Sequence, residues 1–342
     1  MKNWLARLFR GAQRRSAGRP APATAPGHAA SDKSAAGLPV PEADTAIPAS
    51  ANNVDLDLAF YRWLAGGANR DAPATEALIL AELARLAQRP AYAADLVPRV
   101  PAVIPALLRS LRDDSASGAD IVRMVAQDVV LVGEVIREAN SSWYNPAVPV
   151  RTIEGALIML GRNGLRMLLA RVAFRRVINI RAGRFAAQVA PQIWRQSEKC
   201  ALAASTLAAT TEADPFEAYL AGLVQNVGLI VAFRLIDQVY QDDLLPGSGA
   251  FVHALLAQAR RMAHGIALHW EFPESVAGAV LAGGAGPGAL ATVLATGDRL
   301  AKLRMLVDAG AIGPDDPVVN ATVGTRLRPC YDRLRTIDQT PT

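Results

Sequence analysis

The stretch YLAGLVQNVGLIVAFRL, residues 219–235, reads as one buried helix with two neighbouring amides, Gln225 and Asn226, at its middle. Buried amides must find hydrogen-bond partners. This pair therefore either ties helices together in a polar cleft or lines a pocket able to take a small molecule such as a nucleotide. Neither side chain is a strong metal ligand, because the amide oxygen is neutral and the NH2 group repels a cation.

The histidines add little. His28 lies in a segment almost without large apolar residues. If FVHALLAQARRMAHGIALHW is one helix, His253 and His264 point within about 20° of each other but lie ~16 Å apart along the axis, too far for one ion. His264 and His269 point about 140° apart. A metal site using them needs ligands from elsewhere. Cys200 and Cys330 are too few for a disulfide framework, and neither sits in a CxxC pair or beside a histidine. They read as free thiols in a reducing cytosol. No G-x-x-x-x-G-K-[ST], G-x-G-x-x-G or G-x-S-x-G motif occurs. GGAGPG (283–288) is glycine-rich, but no strand precedes it and no lysine follows.

These residues sit on helices. Of the 342 residues, 51% are apolar and 20% charged, which is enough apolar surface for a sizeable core. Ala, Leu and Arg dominate, and clean period-2 alternation is absent. The fold class is all-α. DLDLAFYRWLAGG ends in a glycine C-cap signal, and PATEALILAELARLAQRP has proline early and again at its end. VPRVPAVIPALLRSLRDD places three prolines before a helix. SASGADIVRMVAQDVVLVGEVIREANSS holds two helical stretches. TIEGALIMLGRNGLRMLLARVAFRRV starts on a threonine N-cap and is broken by Gly161 and Gly164. VAGAVLAGGAGPGALATVLATG (276–297) is uncharged and long enough for a bilayer, but its glycines and proline make it helix, loop, helix. DDPVVNATVGTRLRPCYDRLRTIDQTPT reads as a short terminal helix with a frayed end.

Charge is concentrated at one end. Residues 1–52 carry seven basic and three acidic side chains, net +4, against +5 for the whole chain. The remainder is nearly neutral, so no nucleic-acid surface is expected there. Residues 16–52, rich in Pro, Ala, Ser and Gly, cannot bury enough surface to order themselves and read as a disordered linker. Ahead of them, MKNWLARLFRGAQRR places Trp4, Leu5, Leu8 and Phe9 on one helical stripe and Lys2, Arg7, Arg10, Arg14 and Arg15 around it. This basic amphipathic segment, 1–15, suits an anionic membrane surface or a partner's groove; the alternative is a solvated tail. No secretory signal is expected, since the apolar run is too short. SSWYNPAVPV (141–150) is a rigid aromatic turn whose Trp143 and Tyr144 either plug helices together or form a docking knob.

Residues 96–161 carry a more specific pattern. A proline-led helix is followed by IVRMVAQDVVLVGEVIREANSSWYN and then VRTIEGALIMLGRNGLRMLLA. The order resembles the HDOD domain, through Gln127, Asp128, Leu131, Val135, Ala139, Asn140, Ser141, Tyr144, Thr152, Ile153, Ala156, Leu160 and Gly161. It continues more weakly through IWRQSEKCALAAS, LAGLVQNVGLIVAF and HGIALHWEFPESVAGAVLAG. The expected organisation is a basic segment (1–15), linker (16–52), helical lead-in (53–95), HDOD-like domain (96–290) and C-terminal helical extension (291–342).

The resemblance implies descent from HD-type metal-dependent phosphohydrolases, whose chemistry needs a histidine, an adjacent His-Asp pair and a distal Asp around divalent ions. By that resemblance Gln225-Asn226 stands where the His-Asp pair would be, Gln196 near the first histidine, and Gly283-Gly284 at later histidines. Asp298 alone remains at a ligand position, where it either pairs with Arg299 or Lys302 or caps a helix. The expectation is no catalytic residue, no metal and no cofactor. The chain would be a regulatory protein, its domain an interaction module in bacterial two-component or cyclic-di-GMP signalling. Its partners would be response regulators, histidine kinases or cyclic-di-GMP enzymes, and its location cytoplasmic, with peripheral contact at the inner membrane through residues 1–15. The competing expectation is a residual phosphohydrolase or nucleotide-binding sensor with a rearranged site.

Overall fold

In the computed structural model the residues described are 55–67, 72–95, 118–141, 144–178, 183–240, 242–283 and 286–335. The basic segment, the linker, the proline-led lead of the domain, Trp143 and Gly284 lie outside them. The described residues fall within the compact unit 54–342, and no β-strand occurs among them.

Local chemistry sets most helix starts. Asp55 caps α1 (Leu56–Leu64) by accepting from Leu58 N at 3.0 Å, and Gly66 and Gly67 end it with positive φ. Pro73 opens α2 (Pro73–Ala87), and the short α3 (Pro90–Asp95) follows. After α4 (Gly118–Val125), Asp128 caps α5 (Val129–Ala139) at Leu131 N. Thr152 accepts from Gly155 N at the start of α6 (Ile153–Ile178), which kinks at Gly161. The ends of α5 and α6 are joined by Asn140, whose amide exchanges two 2.7 Å hydrogen bonds with the Val150 backbone.

The centre of the unit is α7 (Phe185–Ala208). It packs most extensively against α12 (Ala289–Asp308) and α8 (Pro215–Val224), and also touches α6, α9 (Val227–Val239) and α13 (Pro317–Arg333). Its run Gln196-Ser197-Glu198-Lys199-Cys200 is buried throughout. Five polar or sulfur-bearing side chains in a row are unusual inside a core. Gln196 meets Asp298 and Asn226, Ser197 meets Asn226 as well, and Glu198 meets Arg171. Lys199 donates to the Leu334 carbonyl, and Cys200 to that of Leu294.

Two expectations are corrected. The apolar stretch 219–235 is not one helix: α8 stops at Val224 and α9 starts at Val227. The reason is packing on either side of the break. A Cβ on Gly222 would overlap the Ala201 backbone of α7, while one on Gly228 would overlap the Ala259 carbonyl of α10 (Gly249–His269). Each half presses onto its own partner helix, and the amides fill the joint. The C-terminal helix is also longer than expected. Asp316 caps α13 at Val318 N, Gly324 kinks it, and Lys199 satisfies the carbonyl that ends it.

The 276–297 segment is helix, loop, helix: α11 (Glu274–Ala282) ends on Gly283 in the left-handed region, and α12 begins at Ala289. Among the described residues one stretch, Pro215–Val239, is apolar and long enough to cross a bilayer, but 83% of its most apolar window is buried in the core.

Candidate functional site

Gln196, Gln225, Asn226 and Asp298 come together where α7, the α8–α9 joint and α12 meet. Asp298 Oδ1 accepts the amide of Gln196 at 2.5 Å and that of Gln225 at 3.3 Å. Asn226 donates to both Gln196 Oε1 and Ser197 Oγ. The other Asp298 oxygen takes the Lys302 ammonium at 2.6 Å, one helical turn along α12. Lys302 reaches on to Asp57 Oδ1, also at 2.6 Å, and Arg260 of α10 donates to Asp57 Oδ2 at 3.2 Å. One chain of donors and acceptors thus runs from Ser197 to Arg260.

The orientation of the amides follows from chemistry. An ionised carboxylate only accepts, so Gln196 and Gln225 must turn NH2 groups toward Asp298. The anticipated partner Lys302 is present on Asp298. The amides bond other side chains across the joint. Gly283 lines the same cleft, and its missing Cβ leaves room for Arg260, whose Cδ would be 2.8 Å away.

Electrostatics fix the charges. Burial by itself would weaken the ammonium of Lys302, but Asp298 and Asp57 outweigh it and hold the proton above the ordinary lysine range. Burial would raise the Asp57 carboxyl, yet Lys302, with Arg260 and His253 behind it, leaves it lowered. Two acids and two bases make the cluster neutral. The cleft that Asp298, Lys302 and Arg260 line together with Gln225 and Asn226 holds about 40 Å³, room for a few waters and far below a small-molecule pocket of ~300–1,000 Å³.

A divalent ion does not fit this set. Two carboxylates are within reach, both engaged by one ammonium, and the amides present nitrogen rather than oxygen. Among the described residues no three His, Cys, Asp or Glu side chains converge in a metal-binding group. His253 bonds Asp55 at 2.6 Å, and His264 Nδ1 bonds the Ala277 carbonyl at 2.9 Å, so the two serve different contacts. The Cys200 thiol is pushed up first by burial and then by Asp298, and burial pushes Cys330 up to about 11.

Tyr144 belongs to a second buried cluster. Arg171 lies 2.6 Å from Glu138 and 2.6 Å from Glu198, linking α5, α6 and α7. Burial of the Tyr144 phenol beside this cluster pushes it up to about 12, against the pull of Arg171, which hydrogen-bonds it. Sequence reasoning missed Asp57, Arg260 and Ser197. Only the i, i+4 spacing of Asp298 and Lys302 was visible; Asp57 lies 245 residues from its lysine.

Comparison with known proteins gives this arrangement a context. A family model of the HDOD domain matches residues 97–283. An uncharacterized protein of Treponema pallidum (strain Nichols) is 27% identical over 155 residues, 45% of this chain. The match spans less than a third, 29%, of that curated relative's length. A solved HDOD domain protein from Geobacter sulfurreducens is similar in fold, with TM-score 0.50 and 19% identity over 84% of this chain and 99% of its own. A Shewanella amazonensis SB2B structure named as a metal-dependent phosphohydrolase has TM-score 0.51 at 17% identity, over 77% of this chain and 99% of its own. One from Marinobacter aquaeolei VT8, named as a signal transduction protein, has TM-score 0.50 at 20% identity, over 71% of this chain and 57% of its own.

Proposed function

The chain belongs to the HDOD domain family, and from that premise we propose that it is a non-catalytic regulatory protein whose helical domain binds other proteins in bacterial signal transduction. The observation that carries this reading is the state of Asp298. It accepts from two amides and one ammonium, so each oxygen is already satisfied by the protein itself. Hydrolysis of a phosphate ester by a metal-activated water needs an open coordination position and a cation to offset developing charge. The donors already on Asp298 and a cleft of about 40 Å³, small against a nucleotide pocket, support the non-catalytic reading.

The name of the Marinobacter structure fits a signalling role; at its level of identity it supports the fold and leaves the role to this proposal. Partners of the kind proposed are response regulators, histidine kinases or cyclic-di-GMP enzymes, met in the cytoplasm, with residues 1–15 available to localise the chain.

Elemental analysis of the purified full-length chain, with a phosphodiesterase assay in added MnCl2, tests the reading. Substoichiometric metal and no turnover are expected. Stoichiometric metal, with turnover abolished by Asp298→Ala, would replace it with a residual phosphohydrolase. Affinity capture from native lysate, with and without residues 1–52, should then recover signalling proteins.

A further inference from the structure

Asp298 keeps a carboxylate in a site where, in the implied metal-dependent relatives, a divalent ion would balance it. A buried acid without a counter-charge is strongly unfavourable, so something must replace the ion. We infer that the Lys302 ammonium is the resident cation of this cleft, standing in for a divalent metal on Asp298, and that through Asp57 it fastens α1 to the core. The inference rests on the non-catalytic reading and explains how the fold survives the loss of its ligands.

Three observations support it. The ammonium nitrogen lies 2.6 Å from one oxygen of each carboxylate, the length of a short charge-assisted hydrogen bond. It therefore supplies to both acids the positive charge that an ion would otherwise have to bring. Its delivery is built into α12, because Asp298 and Lys302 are i, i+4 neighbours with the acid first, the favourable order. The amides complete the substitution: Gln196 and Gln225 donate to the oxygen that Lys302 leaves over, as neutral groups that add no charge.

The link to α1 is equally specific. Asp57 is in the first turn of α1 and reaches into the cluster between Lys302 and Arg260. Other polar ties of this helix run elsewhere: its cap Asp55 to His253, and Tyr61 to the Pro246 carbonyl. Phe60 lies beneath the same ammonium, 6.0 Å from ring centre to nitrogen. A single lysine thus holds a residue of the lead-in helix against Asp298.

The test compares the full-length wild type with Lys302→Met, which keeps a stem of similar volume and removes the charge, and with Lys302→Met/Asp298→Asn, which also neutralises the stranded acid. Thermal unfolding, hydrogen exchange of residues 55–64 and manganese binding by electron paramagnetic resonance are measured on each. Lys302→Met should melt about 5–10 °C lower and exchange at least tenfold faster in α1. The double variant should regain much of the loss in melting temperature. If Lys302→Met does not accumulate folded, recovery in the double variant carries the test. A single variant as stable as wild type, or a double variant no better than the single, overturns the inference. Manganese uptake by the wild type overturns the non-catalytic reading as well, so the two failures are distinguishable.

Discussion

Gln196 Nε2 lies 2.5 Å from Asp298 Oδ1, joining α7 to α12 across 102 residues of sequence. The side chain is fully buried and donates there because it is an amide. Gln196→Glu keeps the shape and reverses the polarity, placing two acids face to face. We expect a loss of ~2–4 kcal/mol at pH 7. Burial and Asp298 raise the new carboxyl above its unfolded value near 4.3, so the penalty is present at neutral pH and shrinks as pH falls toward 5. Urea unfolding at both values checks this; a deficit independent of pH would count against it.

Arg171 is held by Glu138 and Glu198, and the two acids raise its hold on the proton although burial opposes them. Arg171→Met leaves Glu198 without its hydrogen-bonded partner and Glu138 with only Arg175, 3.7 Å away. A loss of about 3–5 kcal/mol is expected, with urea midpoint as the measure. A near-neutral outcome would mean the cluster is open to water.

Two glycines should respond in opposite directions. Gly228→Ala drives a methyl into the Ala259 carbonyl, so α9 must move away from α10 at a cost of ~1–3 kcal/mol. Gly278 has an ordinary backbone conformation, and nothing stands within 4 Å of a Cβ there. Gly278→Ala on α11 should gain roughly 0.5–1 kcal/mol. Calorimetric melting of the two variants separates close packing from helix propensity.

The pH dependence of the α1 attachment follows from its two ends. Asp57 is lowered, so its share of stability is full above the unfolded value of about 3.9 and is lost as pH falls through the folded value. Lys302 is raised, so its share is full below about 10.4 and is lost only above that. Protection of residues 55–64 in hydrogen exchange, corrected for intrinsic rates, should be level from about pH 5 to 9. It should fall away in stronger acid.

Much of the architecture was legible because helices announce themselves locally. Asp128, Thr152 and the glycines after Leu64 mark helix ends by residue type alone. Gln196, Gln225, Asn226, Gly283 and Asp298, named from the sequence through a family pattern, surround one cleft. Gly284, Trp143 and the basic segment lie outside the described residues. The break between α8 and α9 was hidden because the apolar run continues through it; it depends on which helices Gly222 and Gly228 touch. Asp57 and Arg260 were hidden for the same reason. Their value comes from a lysine far away in sequence, and periodicity carries no information about distant partners.

The run from Gln196 to Cys200 has a consequence for how this chain can change. Its five side chains point around the helix to partners on several other elements, so they share one angular phase. Loss or gain of a single residue upstream within α7 would turn the run by about 100° and misdirect all five at once. Point substitutions can be absorbed one contact at a time, whereas a one-residue deletion cannot. A deletion scan of residues 186–195 should therefore show a sharp gap in tolerated lengths.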